Sequence, residues 1–377
     1  MLRRTGCATL CLVLTACAAA AISPVIAADV AKITLTSPQP YEVVQREGFE
    51  AATSHEHNVH GATLGFADIQ VVGTLPDNVT GGLEFRIVTL KNAYGSASDW
   101  LRLDVTMNGQ SFQGPVEINA GGWYRLEIRC VNDDKTAAEG AVEPIGVGEI
   151  FVIAGQSYAS GANDELLKVT EPQGRVSAYD WKAKKWQPAN DPQPHSSDGG
   201  TIWPALGDLL VPMLRVPVGF VNVAVGGTST KQWMPDGDLH KNMVQAGKSV
   251  GPFRAVLWQQ GESDVIEKTT TEVYIKNMIK IREAAAVGWR FEPPWLLAKS
   301  TLHPTVYNDP TGEERIRFAI QQLWKRPHFA QGPDTDLLSG ENRGDMNSKR
   351  HFTGIGQRRA ALLWFVAIWN ELDRKSR

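Results

Sequence analysis

The chain has 377 residues, 42% of them hydrophobic and 21% charged. That is enough apolar material for a substantial core, and it excludes intrinsic disorder, a collagen repeat and a coiled coil. A formal charge of −3 leaves no basic footprint for nucleic acid and favours a small or neutral partner. Four Cys and twelve Trp are the counts that stand out.

The chain opens with Arg3 and Arg4, continues with an apolar run from Cys7 to Ala21, and reaches small residues at Ala27 and Ala28. A charged start, an apolar middle and a small-residue end form the layout of a secretory signal peptide, so residues 1–27 are expected to be removed on export to the periplasm or the medium. The apolar run is too short for a convincing transmembrane span. A second reading is open, because Leu14-Thr15-Ala16-Cys17 resembles a bacterial lipobox, in which Cys17 would be lipidated and anchor the protein to a membrane. Apolar residues directly after Cys17 speak against it. Removal of the peptide leaves Cys130 as the single thiol, so no intramolecular disulfide is expected. The charge would then be about −5.

Residues 28–145 read as strands and turns, with "KITLTSP", "LEFRIVTL" and "WLRLDVTM" separated by segments rich in Gly, Asn and Asp. In "WYRLEIRCV", Tyr124, Leu126, Ile128 and Cys130 share one face while Arg125, Glu127 and Arg129 share the other, the pattern of a half-buried antiparallel strand. An all-β sandwich is expected here, with Cys130 in its core. From 146 to 377 the texture changes. "EIFVIAG", "VGFVNVAVGG", "AVLWQQGE" and "WLLAKS" are apolar on both faces, as in a parallel sheet covered by helices. Tyr274, Met278, Ile281 and Ala285 fall on one helical face, and Thr311 with Glu314 has the spacing of a capping box. The second domain is expected to be α/β and to pack directly on the first.

In open α/β sheets reactive groups collect at the carboxyl ends of the strands. Four such ends carry polar or glycine signals. In the first, Gly155-Gln156-Ser157 follows an apolar strand, which places Ser157 as a nucleophile whose own N–H can face an oxyanion. The second closes on Gly226-Gly227-Thr228, where paired glycines allow close backbone approach. The third runs into Gln260, Gly261, Glu262 and Asp264 beside Trp258. The fourth holds His351, directly before a helix that Thr353 can cap; a helix N-terminus disfavours an imidazolium and keeps a nearby His in the neutral state of a general base.

Taken in order, "AGQSY", "AVGGTSTKQW", "WQQGESD" and "HFTGIGQ" resemble the blocks of the SGNH hydrolase superfamily, within it the sialate O-acetylesterase and acetylxylan esterase group. The resemblance covers about 148 to 370 and implies a flavodoxin-like three-layer domain with a parallel central sheet. It further implies Ser157 as nucleophile, His351 as base, and an oxyanion site formed by the Ser157 N–H, the backbone at Gly226 or Gly227 and the Gln260 side chain. No metal or cofactor is implied. Two departures stand out. Tyr158 replaces the Asn usual after the nucleophile, and Ser348 stands where the family commonly has an Asp three residues before the His. The orienting acid must then be Glu262, Asp345 or absent, the last leaving a Ser-His dyad.

Other features read more plainly. His55, His57 and His60 suggest an exposed loop rather than a zinc site, since no helical pattern converges them. Ten of the twelve Trp lie beyond Ile145. Trp364 and Trp369 belong to a core helix, whereas Trp233, Trp258 and Tyr158 beside the strand ends are candidates to contact a sugar. The expectation is an exported serine esterase that removes O-acetyl groups from a carbohydrate. The alternatives are a carbohydrate-binding protein on a degenerate esterase scaffold and an esterase of lipids or simple esters. The oligomeric state is open.

Overall fold

The computed structural model describes residues 30–49, 63–304, 307–344 and 350–375. The expected signal peptide, Cys17, the three-histidine segment and Asp345 lie outside these residues.

The first third consists of strands β1 (Ala31–Lys32), β2 (Thr34–Ser37), β3 (Glu42–Gln45), β4 (Phe66–Thr74), β5 (Gly82–Tyr94), β6 (Leu101–Arg102), β7 (Thr106–Asn108), β8 (Ser111–Asn119) and β9 (Gly121–Asn132), followed by β10 (Lys135–Gly155). One antiparallel sheet runs β2-β4-β8-β7; the other joins β6, β5, β9 and β10, with β1 and β3 pairing parallel to β10. Burial alternates along β4 and β8. Val71 and Val116 on one sheet and Leu126 and Ile128 on the other meet in a common core. Cys130 lies buried and free there, as strand phase required.

Strand β10 is 21 residues long. Its first part pairs with β9, with an irregularity between Val142 and Ile145, and its last part forms the centre of the second sheet. The passage expected at 145/146 is thus the middle of one strand. Around it stand β11 (Val176–Asp180), β12 (Lys185–Pro188), β13 (Val218–Asn222), β14 (Ala255–Gln259), β15 (Trp295–Lys299) and β16 (Phe329–Asp334). Their order is β12-β11-β13-β10-β14-β15-β16, parallel throughout except for β12.

Helices α1 (Ser157–Ser160), α2 (Trp203–Leu214), α3 (Asp238–Val250), α4 (Glu262–Ile266), α5 (Thr271–Trp289), α6 (Pro310–Leu323) and α7 (Gly354–Lys375) complete the fold. Period-two alternation sends Phe151 and Ile153 of β10 to one face, with Leu206 of α2 and Trp364 of α7. Ile150 and Val152 go to the other, with Met243 of α3, Met278 of α5 and Ile320 of α6. The predicted face of α5 is fully buried. The capping expectation for α6 is corrected: Pro310 takes the first helical position, so the cap is Asp309, whose carboxylate accepts from the Gly312 N–H at 2.9 Å.

The two sheets are joined at the amino ends of the parallel strands by a buried ion cluster. Glu149 accepts from Arg46 Nε at 2.7 Å, Arg254 Nε at 2.6 Å and Gln45 Nε2 at 2.8 Å. The paired guanidinium groups hold its carboxyl below the usual range against the cost of burial.

Candidate active site

After β10 the chain builds β11, β12 and β13 on one side and then crosses to β14 on the other. The crevice at the carboxyl ends of these three strands is the topological switch point, where such sheets bind ligands. The β-only segment pairs at the opposite end of β10, and none of its described residues lines this crevice.

Gly155 ends β10 at φ +129°, and a Cβ there would lie 2.0 Å from the carbonyl oxygen of Gln259, so only glycine fits. Gln156 then caps α1 and Ser157 opens it. Ser157 is partly exposed, while Gln156, Tyr158 and Ala159 are buried. The N–H groups of Ala159 and Ser160 return to the Gln156 carbonyl. The Ser157 N–H, the first of its helix, has no protein acceptor among the described residues. Gly226 follows β13 and lies against Ser157, since a Cβ on it would sit 3.7 Å from the Ser157 Cβ. Gly227, at φ +71°, faces open space. His351 arrives from the other side of the sheet. Its carbonyl accepts from the Gly344 N–H at 2.7 Å, Phe352 N–H donates to Asn163 Oδ1 at 3.2 Å, and Thr353 caps α7 through Gly356, as the sequence led us to expect. Ser157, Gly226, Gly227 and His351 thus meet in one cleft of about 430 Å³.

Several expected residues do not reach it. Gln260 is fully buried, its Nε2 donating to Asp264 Oδ2 at 2.6 Å, to the Thr228 carbonyl at 3.2 Å and to Gln156 Oε1 at 3.3 Å. Its amide is spent on the scaffold and is not free for an oxyanion. The residue that sequence reasoning missed is Gln156. Its Oε1 accepts from Gln260 Nε2 and from the N–H groups of Gly261 at 3.4 Å and Ser263 at 3.2 Å. Because N–H donors require an oxygen at that end, the Nε2 is directed away from them, and it finds no acceptor among the described residues. Gln156 lines the cleft beside Ser157. A polar side chain between a strand-end glycine and a serine was the signal available.

Glu262, one of the two candidates for the orienting acid, is fully buried behind the cleft. Its Oε1 accepts from Ser300 Oγ at 2.9 Å, and its Oε2 has no partner among the described residues. Burial pushes its carboxyl up to about 8; Asp336 adds to this, while Ser300 and Arg343 oppose it. Burial thus favours the protonated carboxyl, a poorer partner for an imidazolium than an anion.

The aromatic candidates are corrected in the same way. Trp233 and Trp258 are 0% exposed, stacked edge-on with ring centroids 5.3 Å apart in the layer under α3 and α5, and offer no face to a sugar. Tyr158 is 1% exposed. Its ring packs edge-on to His351 at 5.2 Å, and its hydroxyl donates to the Arg350 carbonyl and accepts from Arg343. The residue that replaces the expected Asn therefore braces the histidine. Asp336 accepts from Thr301 N–H and Oγ1, Leu302 N–H and Arg317, fixing the loop that brings His303 into the cleft wall.

Fold and cleft together define an α/β domain with a serine and a histidine at its switch point. Residues 147–286 match the family of carbohydrate esterases described as sialic acid-specific acetylesterases. A probable carbohydrate esterase of Arabidopsis thaliana is 28% identical over 163 residues, covering 37% of this chain and 63% of that protein. The chain thus spans less than two thirds of that relative's length. A carbohydrate acetylesterase from Xanthomonas citri has the same fold at TM-score 0.53 and 16% identity, over 87% of this chain and 72% of that one.

Proposed function

We propose that the protein is an exported carboxylic ester hydrolase that removes O-acetyl groups from a glycan. The observation that carries this reading is the convergence of Ser157, Gly226 and His351 on one cleft at the switch point. Ser157 Oγ attacks the acetyl carbonyl while His351 takes its proton. The oxyanion is held by the N–H groups of Ser157 and Gly226 and by Gln156 Nε2; removing one such donor typically costs about 10²–10³ in rate. His351 then protonates the departing sugar hydroxyl, and water, activated by the same imidazole, releases acetate from Ser157. Asp345 is the remaining candidate to orient His351. Serine, glutamine and histidine side chains dominate the lining, which suits a ligand rich in hydroxyl groups better than a lipid chain. The N-terminal segment supplies the export signal in this reading, and residues 28–145 form an accessory β-sandwich away from the catalytic cleft.

Purified protein should hydrolyse p-nitrophenyl acetate and release acetate from O-acetylated sugars. Ser157→Ala should lower kcat by at least about 10³ and abolish labelling by a fluorophosphonate. Glycan binding without turnover or labelling in the wild-type protein would favour a binding protein on an esterase scaffold.

A further inference from the structure

Trp100 stands in the β-only segment, apart from the residues that line the catalytic cleft, and the hydrolytic cycle does not use it. It precedes β6, whose Leu101 and Arg102 pair with Phe85 and Glu84 of β5, so the same register sets Trp100 opposite Arg86. The loop before it is fixed as well: the Ser98 N–H donates to the Ile87 carbonyl at 3.0 Å, and Ser98 Oγ accepts from the Ile87 N–H at 2.9 Å. The indole lies over two guanidinium groups, Arg86 at 4.7 Å and Arg129 at 4.2 Å from the ring centroid. Both rise from the outer face of one sheet, where partly exposed residues alternate with buried ones along β5 and β9. They therefore cover the same side of the indole, and its other side is turned away from the sheet. Trp100 keeps part of its surface exposed. Arg86 is paired with Glu127 at 2.6 Å, Arg129 with Glu84 at 2.6 Å, and Arg125 with the same Glu127 at 2.7 Å. The cations that brace the ring are thus neutralised in place, and the platform is ordered before any ligand arrives.

We infer that this sheet face, with Trp100 as its platform, binds the extended backbone of a neutral, β-linked polysaccharide. A pyranose ring has an apolar face of C–H groups and a rim of hydroxyls, which fits an indole framed by carboxylates and guanidinium groups. The alternating Arg–Glu pairs leave no local field of one sign, so the face complements an uncharged polymer and not a nucleic acid or an acidic chain. A protein partner needs a wider apolar centre than one indole in a charged ladder. An open sheet face admits a long, extended chain. The site goes beyond the esterase reading, since it requires neither Ser157 nor an acetyl group: the β-only segment holds the polymer at one end of β10, and the cleft lies at the other.

The test is affinity electrophoresis of the full chain in native gels that hold unacetylated arabinoxylan, glucomannan or hydroxyethylcellulose. At least one of these should retard the wild-type protein, with a Kd that Trp100→Ala raises at least tenfold and Trp100→Phe raises less. Trp100→Leu keeps an apolar cover on Arg86 and Arg129 but lacks the flat ring. It should lose binding as the alanine variant does while melting near the wild-type temperature, which separates loss of the platform from loss of the fold. Wild-type protein retarded by none of the polymers overturns the inference, and so does retardation that survives Trp100→Ala or Trp100→Leu. Polygalacturonate is the acidic control, and binding to it tighter than to the neutral polymers refutes the neutral class. None of these polymers carries an acetyl ester, so the outcome is independent of catalysis. A protein that hydrolyses p-nitrophenyl acetate but passes every gel unretarded loses the polysaccharide site and keeps the esterase reading; one that is retarded through Trp100 without any turnover keeps the site and loses the esterase reading.

Discussion

Replacing Glu262 by Gln separates stability from catalysis at one position. Burial raises the carboxyl from its ordinary 4.5 to about 8, so between these values the folded protein keeps a proton that the unfolded chain has lost. The folded state therefore binds more protons than the unfolded one, and stability falls as pH rises through that window, at up to about 1.4 kcal/mol per pH unit. Below the window both states are protonated and the penalty vanishes; above it both are ionised and the penalty is constant. Glu262→Gln removes this contribution and keeps a neutral group of the same size opposite Ser300. The difference in unfolding free energy between the variant and the wild type should move in favour of the variant by about 3–4 kcal/mol from pH 5 to pH 8. The wild-type carboxylate has a buried, unpartnered Oε2 to desolvate, which is the physical source of that cost. Reversible urea unfolding at several pH values measures it. A constant offset between the two proteins across this range would refute the reasoning. Since the carboxyl is buried behind the cleft against Ser300, kcat at pH 7 should change by less than about tenfold, whereas loss of an orienting acid costs up to about 10⁴.

Gln156→Glu keeps the oxygen that accepts from Gly261 and Ser263 but replaces the donor facing the cleft, so kcat should fall by about 10²–10³ with KM little changed; steady-state kinetics on p-nitrophenyl acetate reads this directly. Asp345→Asn should lower kcat by up to about 10⁴ if this residue orients His351, and a fall of less than about tenfold would leave a Ser-His dyad. Trp233→Ala should cost about 3–5 kcal/mol of stability, measured by chemical denaturation, because a fully buried indole in contact with Trp258 leaves a large cavity.

The strand ends were legible because apolar runs closing on glycine have one common use in a parallel sheet, and Ser157, Gly226 and His351 met there as their positions implied. The depth of side chains at those same ends was not legible. Trp233, Trp258, Gln260 and Glu262 are polar or aromatic residues beside a cleft in sequence, yet the chain turns each of them inward, where Thr228 accepts from Trp233, Asp264 accepts from Gln260 and Ser300 donates to Glu262. A single residue decides between the two directions, and no periodicity marks it. The span of β10 was hidden for a different reason: Pro144 and Gly146 resemble a break, whereas β9 and β3 absorb the irregularity and the strand continues.

That continuous strand ties the two halves into one cooperative unit. A fragment beginning at residue 146 would start inside a hydrogen-bonded ladder and would leave the buried Glu149 without Arg46 and Gln45. Removing partners of a buried charge costs about 3–5 kcal/mol, so the catalytic part should be poorly soluble when expressed alone. In the full chain, unfolding of the β-only segment and of the active site should occur in a single transition. Evolution of the accessory segment is then constrained from within, because any change that loosens β3 or β9 is transmitted along one backbone to the turn that holds Ser157.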